Sequence, residues 1–115
     1  MAQGDYNQLS GGWGDVHGMA AINGRVFAIS GGVLYRADVE GGYEQLGGSW
    51  DGRAMVAARG ALYIFNGDGG LYRVDPSTGG YEQISSGWSG TTGAAVLGDK
   101  IFVVCDGLLY TVDLV

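Results

Sequence analysis

The 115-residue chain has one cysteine, one proline and one histidine, and its only lysine is Lys100. Each scarcity excludes something. A lone Cys105 rules out an intrachain disulfide. With His17 as the single imidazole, one chain cannot assemble a zinc site from nitrogen and sulfur ligands, so no metal and no cofactor is expected. Six basic residues against twelve acidic ones leave a net charge of −6. That is the wrong sign for nucleic-acid phosphates or an anionic membrane, and neither is expected as a partner. No apolar run reaches bilayer length, and residues 1–5 show neither a basic n-region nor an apolar h-region. Together with the unpaired Cys105 in an apolar run, these features favour a cytoplasmic protein.

What is plentiful is glycine, 24 residues, in a chain that is 46% hydrophobic. That is too apolar for a disordered chain, so the glycines read as punctuation between strands. The strands recur. Tyr6, Tyr43 and Tyr81 each open a Tyr-x-Gln-apolar segment, and Trp13, Trp50 and Trp88 each follow seven residues later. An apolar-aromatic pair comes next (Val26-Phe27, Leu62-Tyr63, Ile101-Phe102), then a glycine-rich turn. Leu-Tyr closes the pattern (Leu34-Tyr35, Leu71-Tyr72, Leu109-Tyr110), with Asp38, Asp75 and Asp113 three residues after each Tyr. A repeat of this length, built from short strands, belongs to arrays whose units cannot bury their own faces alone.

The middle copy predicts how each unit folds. Residues 55–58 (Met-Val-Ala-Ala) are small and apolar, suited to a strand packed on both faces. Residues 61–65 (Ala-Leu-Tyr-Ile-Phe) read as a buried second strand. Asn66 to Gly70 is a turn, Leu71 to Asp75 alternates in and out, and Tyr81 to Ile84 is a polar outer strand. Four antiparallel strands graded from small to polar describe one blade of a β-propeller.

The copies are offset from the chain ends. An outer strand, residues 6–9, comes before any inner strand, and the chain ends on a third strand with no fourth after it. The expectation is therefore a single all-β domain, residues 1–115, with repeats at about 13–46, 50–84 and 88–115. Each chain would hold three four-stranded blades. Because propeller rings need about four to eight blades, two chains would close a six-bladed ring as a homodimer. Tyr6, Gln8 and Leu9 of each chain would clasp Leu109, Tyr110 and Val112 of the other.

Residues 61–83 resemble a shortened kelch blade. Leu62-Tyr63, Gly69-Gly70, Val74-Asp75-Pro76 and Trp88 match that family's apolar strand, double glycine, Asp-Pro strand and tryptophan in order. The short, glycine-rich, Trp-bearing blades are also similar to the propeller lectins of the tectonin and tachylectin types. The resemblance implies a propeller, and through the lectins it implies sugar binding between blades.

Catalytic chemistry finds little to work with, and no enzyme is expected. Asn66-Gly-Asp68-Gly-Gly70 begins like a calcium loop but lacks the later Glu, and it has no Gly-Lys-Ser/Thr with which to hold a phosphate. No serine has a nucleophile-elbow context around His17. Binding is the better expectation. The candidate ligand residues are Trp13, Trp50 and Trp88, with His17, Arg53 and Thr92 at one repeat position and Asn66 and Asp68 in the middle turn. Two readings stand: a lectin-like module taking glycans in inter-blade pockets, and a structural or protein-interaction scaffold, including an engineered ring-assembly fragment.

Overall fold

The computed structural model describes residues 2–115. Eleven strands and no helix follow one another along the described chain. The first sheet is β1 (Val16–Ile22), β2 (Arg25–Ser30), β3 (Val33–Ala37) and β4 (Tyr43–Gly47). The second is β5 (Gly52–Ala58), β6 (Ala61–Asn66), β7 (Leu71–Val74) and β8 (Tyr81–Ser85). The third has only β9 (Thr91–Leu97), β10 (Lys100–Cys105) and β11 (Leu108–Asp113). Every sheet is an antiparallel meander in sequence order, so the fold is all-β with blade-like sheets, the third one strand short.

The expected outer strand at residues 6–9 is not a strand in the single chain. Its backbone joins none of the three sheets. It nevertheless holds a definite position. Leu9 lies against the turn after β3, where a Cβ on Gly41 would come within 3.1 Å of Leu9 Cβ. In the next repeat, Leu46 of β4 lies against Gly79 in the same way, at 3.0 Å. The segment thus sits against the first blade as an outer strand sits against the blade that follows it.

The core lies between the blades, not within them. Alternation along β6 divides its side chains between two seams. Leu62 and Ile64 join Phe27, Ile29, Leu34, Met55 and Val74 between the first and second blades. Tyr63 and Phe65 join Ala54, Val56, Leu71, Ile101 and Val103 between the second and third. Close approach of β1 to β5 requires glycine: a Cβ on Gly52 would lie 2.6 Å from Ile29 Cδ1 and 2.9 Å from the His17 carbonyl oxygen.

The same alternation leaves two apolar faces open. Val26 and Ala28 of β2 occupy the repeat positions of Leu62 and Ile64 but meet no blade. With Leu9, Trp13, Met19 and Tyr35 they line an apolar hollow of about 460 Å³. At the other end Phe102 and Val104 are only half-buried, although Phe27, Ile29 and Phe65 at the equivalent positions are fully enclosed.

Candidate functional site

On one face of the molecule, the turn joining the second and third strands of each sheet meets the loop that enters that sheet's inner strand. Gly31, Gly67 and Asp106 donate their backbone N–H groups to the carbonyls of Asp15, Asp51 and Gly90. Trp50 and Trp88 donate theirs to Gly32 and Gly69 of the preceding blade's turn. These bonds pin Trp50 and Trp88 at the two seams.

There the indole meets two tyrosines. Trp13 packs edge-on against Tyr35 and Tyr43, both with centroids 5.2 Å away. Trp50 does the same with Tyr72 at 5.4 Å and Tyr81 at 5.2 Å. Such edge-to-face pairs add to the area they bury, so each triad is rigid. Trp88 meets Tyr110 at 5.5 Å and Phe65 at 5.6 Å, but no tyrosine from a fourth strand. Tyr6, the first residue of the repeat's outer-strand motif, is 93% exposed.

The two complete triads border repeat-related cups of unequal size. The cup at Trp13 holds about 50 Å³, above Ser30, Tyr35 and Tyr43. The cup at Trp50 holds about 280 Å³ and is walled by Trp50, Tyr72 and Tyr81, with Asn66, Asp68 and Ser49 at its polar side. Two differences account for the larger volume. The turn Asn66–Gly70 is longer than Ser30–Gly32, and Tyr72 and Tyr81 stack at 24° where Tyr35 and Tyr43 cross at 73°.

Asp68 organises the larger cup. Its Oδ1 accepts the Gly70 backbone N–H at 2.8 Å and its Oδ2 accepts the Tyr72 hydroxyl at 2.9 Å. The Gly70 bond first, and the Tyr72 bond second, hold the Asp68 carboxyl below its ordinary 3.8. The same carboxylate raises Tyr72 above its ordinary 10.0. Asn66 is buried and accepts the Asp51 backbone N–H at 2.7 Å through Oδ1.

The indole N–H groups differ. Trp13 Nε1 donates to Ser10 Oγ at 2.9 Å, and Trp88 Nε1 donates to Ser85 Oγ at 3.0 Å. Gly47 stands at the matching place before Trp50. Trp50 Nε1 has no protein partner among the described residues and is not buried.

Of the residues singled out from the sequence, the fold brings Trp50, Asn66 and Asp68 into one cup. Trp13 lines the smaller one. His17, Arg53 and Thr92 share a strand position, yet each bonds within its own repeat and none lines a Trp cup. His17 Nε2 lies 2.8 Å from Asp15, Arg53 pairs with Asp51 at 3.4 Å, and Thr92 Oγ1 faces the Val104 carbonyl at 3.5 Å. The aspartates after each Leu-Tyr serve turns, as their spacing implied: Asp38 accepts from Glu40 and Gly42, and Asp75 from Ser77. Asp113 pairs with Lys100 at 2.5 Å. Sequence reasoning did not place Tyr43, Tyr72 and Tyr81 in the site, although the first and last open the most regular motif in the chain.

No group of three or more His, Cys, Asp or Glu placed to hold a metal ion occurs among the described residues. No described helix is long and apolar enough to cross a membrane.

No family model matches the sequence, and no curated protein matches it as a relative. Solved structures do match, and they are propeller-like. Glutaminyl cyclase of Myxococcus xanthus superposes with a TM-score of 0.64 at 14% identity, covering 85% of this chain and 47% of that one. BamB of Moraxella catarrhalis gives 0.62 at 16% identity, covering 81% of this chain and 30% of that one. The computationally designed Ika4 protein gives 0.54 at 12% identity, covering 93% and 96%. At these identities the likeness shows the fold alone: the chain is a β-propeller-like array of three sheets. It spans less than half the length of the two natural proteins.

Proposed function

We propose that the protein is a non-enzymatic binding module, acting as a six-bladed ring of two chains and holding carbohydrate in the aromatic cups at its seams. The observation that carries the binding reading is the cup at Trp50, where three fixed aromatic rings border about 280 Å³ beside a carboxylate and an amide. Aromatic walls with a few convergent polar groups suit the apolar C–H faces and rimming hydroxyls of a pyranose. A glycan array probed with labelled protein tests it. Binding that disappears in Trp50→Ala while the fold persists supports the reading, and a blank array on folded protein overturns it.

The ring reading draws on the repeat. Both open apolar faces carry the residue positions that are buried at the two closed seams, and the third triad lacks the tyrosine that Tyr6 would supply. A register follows from the intact blades, where β3 pairs Arg36 with Glu44 and β7 pairs Arg73 with Glu82. Both pairs are also ion pairs. Transferred to β11, the register sets Asn7 of one chain opposite Thr111 of the other, and Tyr6 opposite Val112. Arg–Glu has become Thr–Asn on both sides at once, so neither chain leaves a charge unmatched. Light scattering that gives the mass of two chains supports the ring, and a stable monomer overturns it.

A second reading, a structural scaffold without a small-molecule ligand, is favoured by one observation. Two of the three indole N–H groups are already satisfied by serines of their own chain. The likeness to a computationally designed propeller of matching length agrees with it.

A further inference from the structure

We infer that the three repeats are not equivalent as binding sites, and that each chain holds one ligand site, at Trp50, selective for neutral sugars. This rests on the carbohydrate reading above and narrows it to one cup and one ligand class.

The repeats differ at the residue three before each tryptophan. Ser10 and Ser85 take the N–H of Trp13 and Trp88, whereas Gly47 offers no side chain to Trp50. A serine hydroxyl bound to an indole occupies the directional donor that a stacked sugar could use. At Trp50 that donor is open to an incoming hydroxyl.

The acceptor is the repeat's other anomaly. Only the middle turn carries an aspartate held by a backbone N–H and a tyrosine hydroxyl. These bonds fix the orientation of the Asp68 carboxylate and leave lone pairs on both oxygens, each of which can accept a second donor. The repeat-related cup at Trp13 has Ser30 there and about 50 Å³ of space, too little for a pyranose ring, and the hollow of about 460 Å³ that Trp13 also lines is the apolar face that the proposed ring would cover. A free N–H donor and an ionised acceptor in one aromatic cup match a ligand with one hydroxyl that takes a hydrogen bond and another that gives one.

Charge sets the ligand class. No lysine or arginine lines the cup. Arg36, Arg53 and Arg73 are each paired with a carboxylate outside the cup, Glu44, Asp51 and Glu82 in turn. A uronate or sialate would bring its carboxylate against Asp68 with no cation between them, which is unfavourable. Neutral hexoses and N-acetylhexosamines carry no such penalty.

The test is to label the tryptophans with 15N, assign the three indole signals with single Trp→Phe variants, and titrate the full chain. The probes are the methyl glycosides of glucose, galactose, mannose and N-acetylglucosamine, with glucuronic acid and N-acetylneuraminic acid as anionic counterparts. The expected result is that the Trp50 signal alone moves with at least one neutral sugar, at one site per chain. Trp50→Phe, which keeps the ring and loses the donor, then binds on the order of tenfold more weakly, with the other two indole signals unchanged as proof of fold. Movement at Trp13 or Trp88 with Trp50 still overturns the one-site inference but leaves the carbohydrate reading standing. An anionic sugar binding as tightly as its neutral counterpart overturns the selectivity. No movement with any of the six probes overturns the inference and the carbohydrate reading together.

Discussion

Leu71 and Leu109 occupy the same place in successive repeats, yet Leu71 is fully enclosed and Leu109 is 69% exposed. Leu71 is enclosed because the third blade covers it. Leu109 has no such neighbour in its own chain. Burying a leucine contributes roughly 1.5–3 kcal/mol, so covering the exposed copy would add about that much to the proposed contact with a second chain. Leu109→Asp is expected to shift the protein to monomer in sedimentation while leaving the strand signal in circular dichroism intact. A dimer that survives this change would place the contact elsewhere.

The neutral Asn7–Thr111 pair that the proposed ring implies can be converted into a selector. One chain carries Asn7→Glu with Thr111→Glu, and the other carries Asn7→Arg with Thr111→Arg. Like charges directly opposite across strands are destabilising and opposite charges favourable, by a few tenths to about 1 kcal/mol per pair. Each mixed dimer would hold two attractive pairs and each homodimer two repulsive ones. Native mass spectrometry after mixing should show the mixed dimer in excess, and a random distribution would mean that the register is wrong.

Gly52 carries the close approach of the second inner strand to the first. A Cβ there would enter the space of Ile29 Cδ1 and the His17 carbonyl oxygen, and backbone cannot step aside as a side chain end can. Gly52→Ala should cost about 1–3 kcal/mol, read as a lower denaturant midpoint with an unchanged slope. Gly60→Ala tests another principle, because its Cβ meets nothing within 4 Å while φ is +76°. Its cost comes from backbone strain alone and should be the smaller of the two.

The Asp68–Tyr72 bond predicts a window of pH. Asp68 is lowered in the folded chain, so its contribution is present above the ordinary 3.8 and is lost as pH falls through the folded value. Tyr72 is raised, so its contribution is present below 10.0 and is lost as pH climbs through the folded value. The difference in melting temperature between the parent chain and Asp68→Asn should therefore be largest between these limits and shrink beyond either. A difference that does not vary with pH would mean that the carboxylate's charge is not what Tyr72 reads.

Much of the fold was legible in the sequence because it is a matter of period. The tryptophans, the Leu-Tyr pairs and the aspartates recur, and recurrence fixed three units and the strand missing from the last. The aspartates were also readable as turn residues, since their partners lie within four residues. The site was less legible. Asn66 and Asp68 were visible as an unusual turn, but the role of Tyr81 depends on Trp50, thirty-one residues away, and on the tilt of two rings. The fate of each indole N–H hung on one residue, Ser10, Gly47 or Ser85, in segments that read only as glycine-rich connections. His17, Arg53 and Thr92 aligned correctly and still missed the cup, because a shared strand position does not say which way a turn folds over it.

The break in the repeat falls inside a blade, and this has a consequence for how such a chain could lengthen. In the intact blades, residues 38–42 and 75–80 carry the chain from third strand to outer strand. Joining two copies head to tail would place residues 113–115 and then 1–5 in that role, eight residues where the intact blades use five and six. The outer strand of the second copy would then follow the third strand of the first by an ordinary turn. In the ring proposed above, a tandem duplication would thus turn one of the two seams between chains into a covalent blade. It would leave a single clasp where the joined chain's own ends meet.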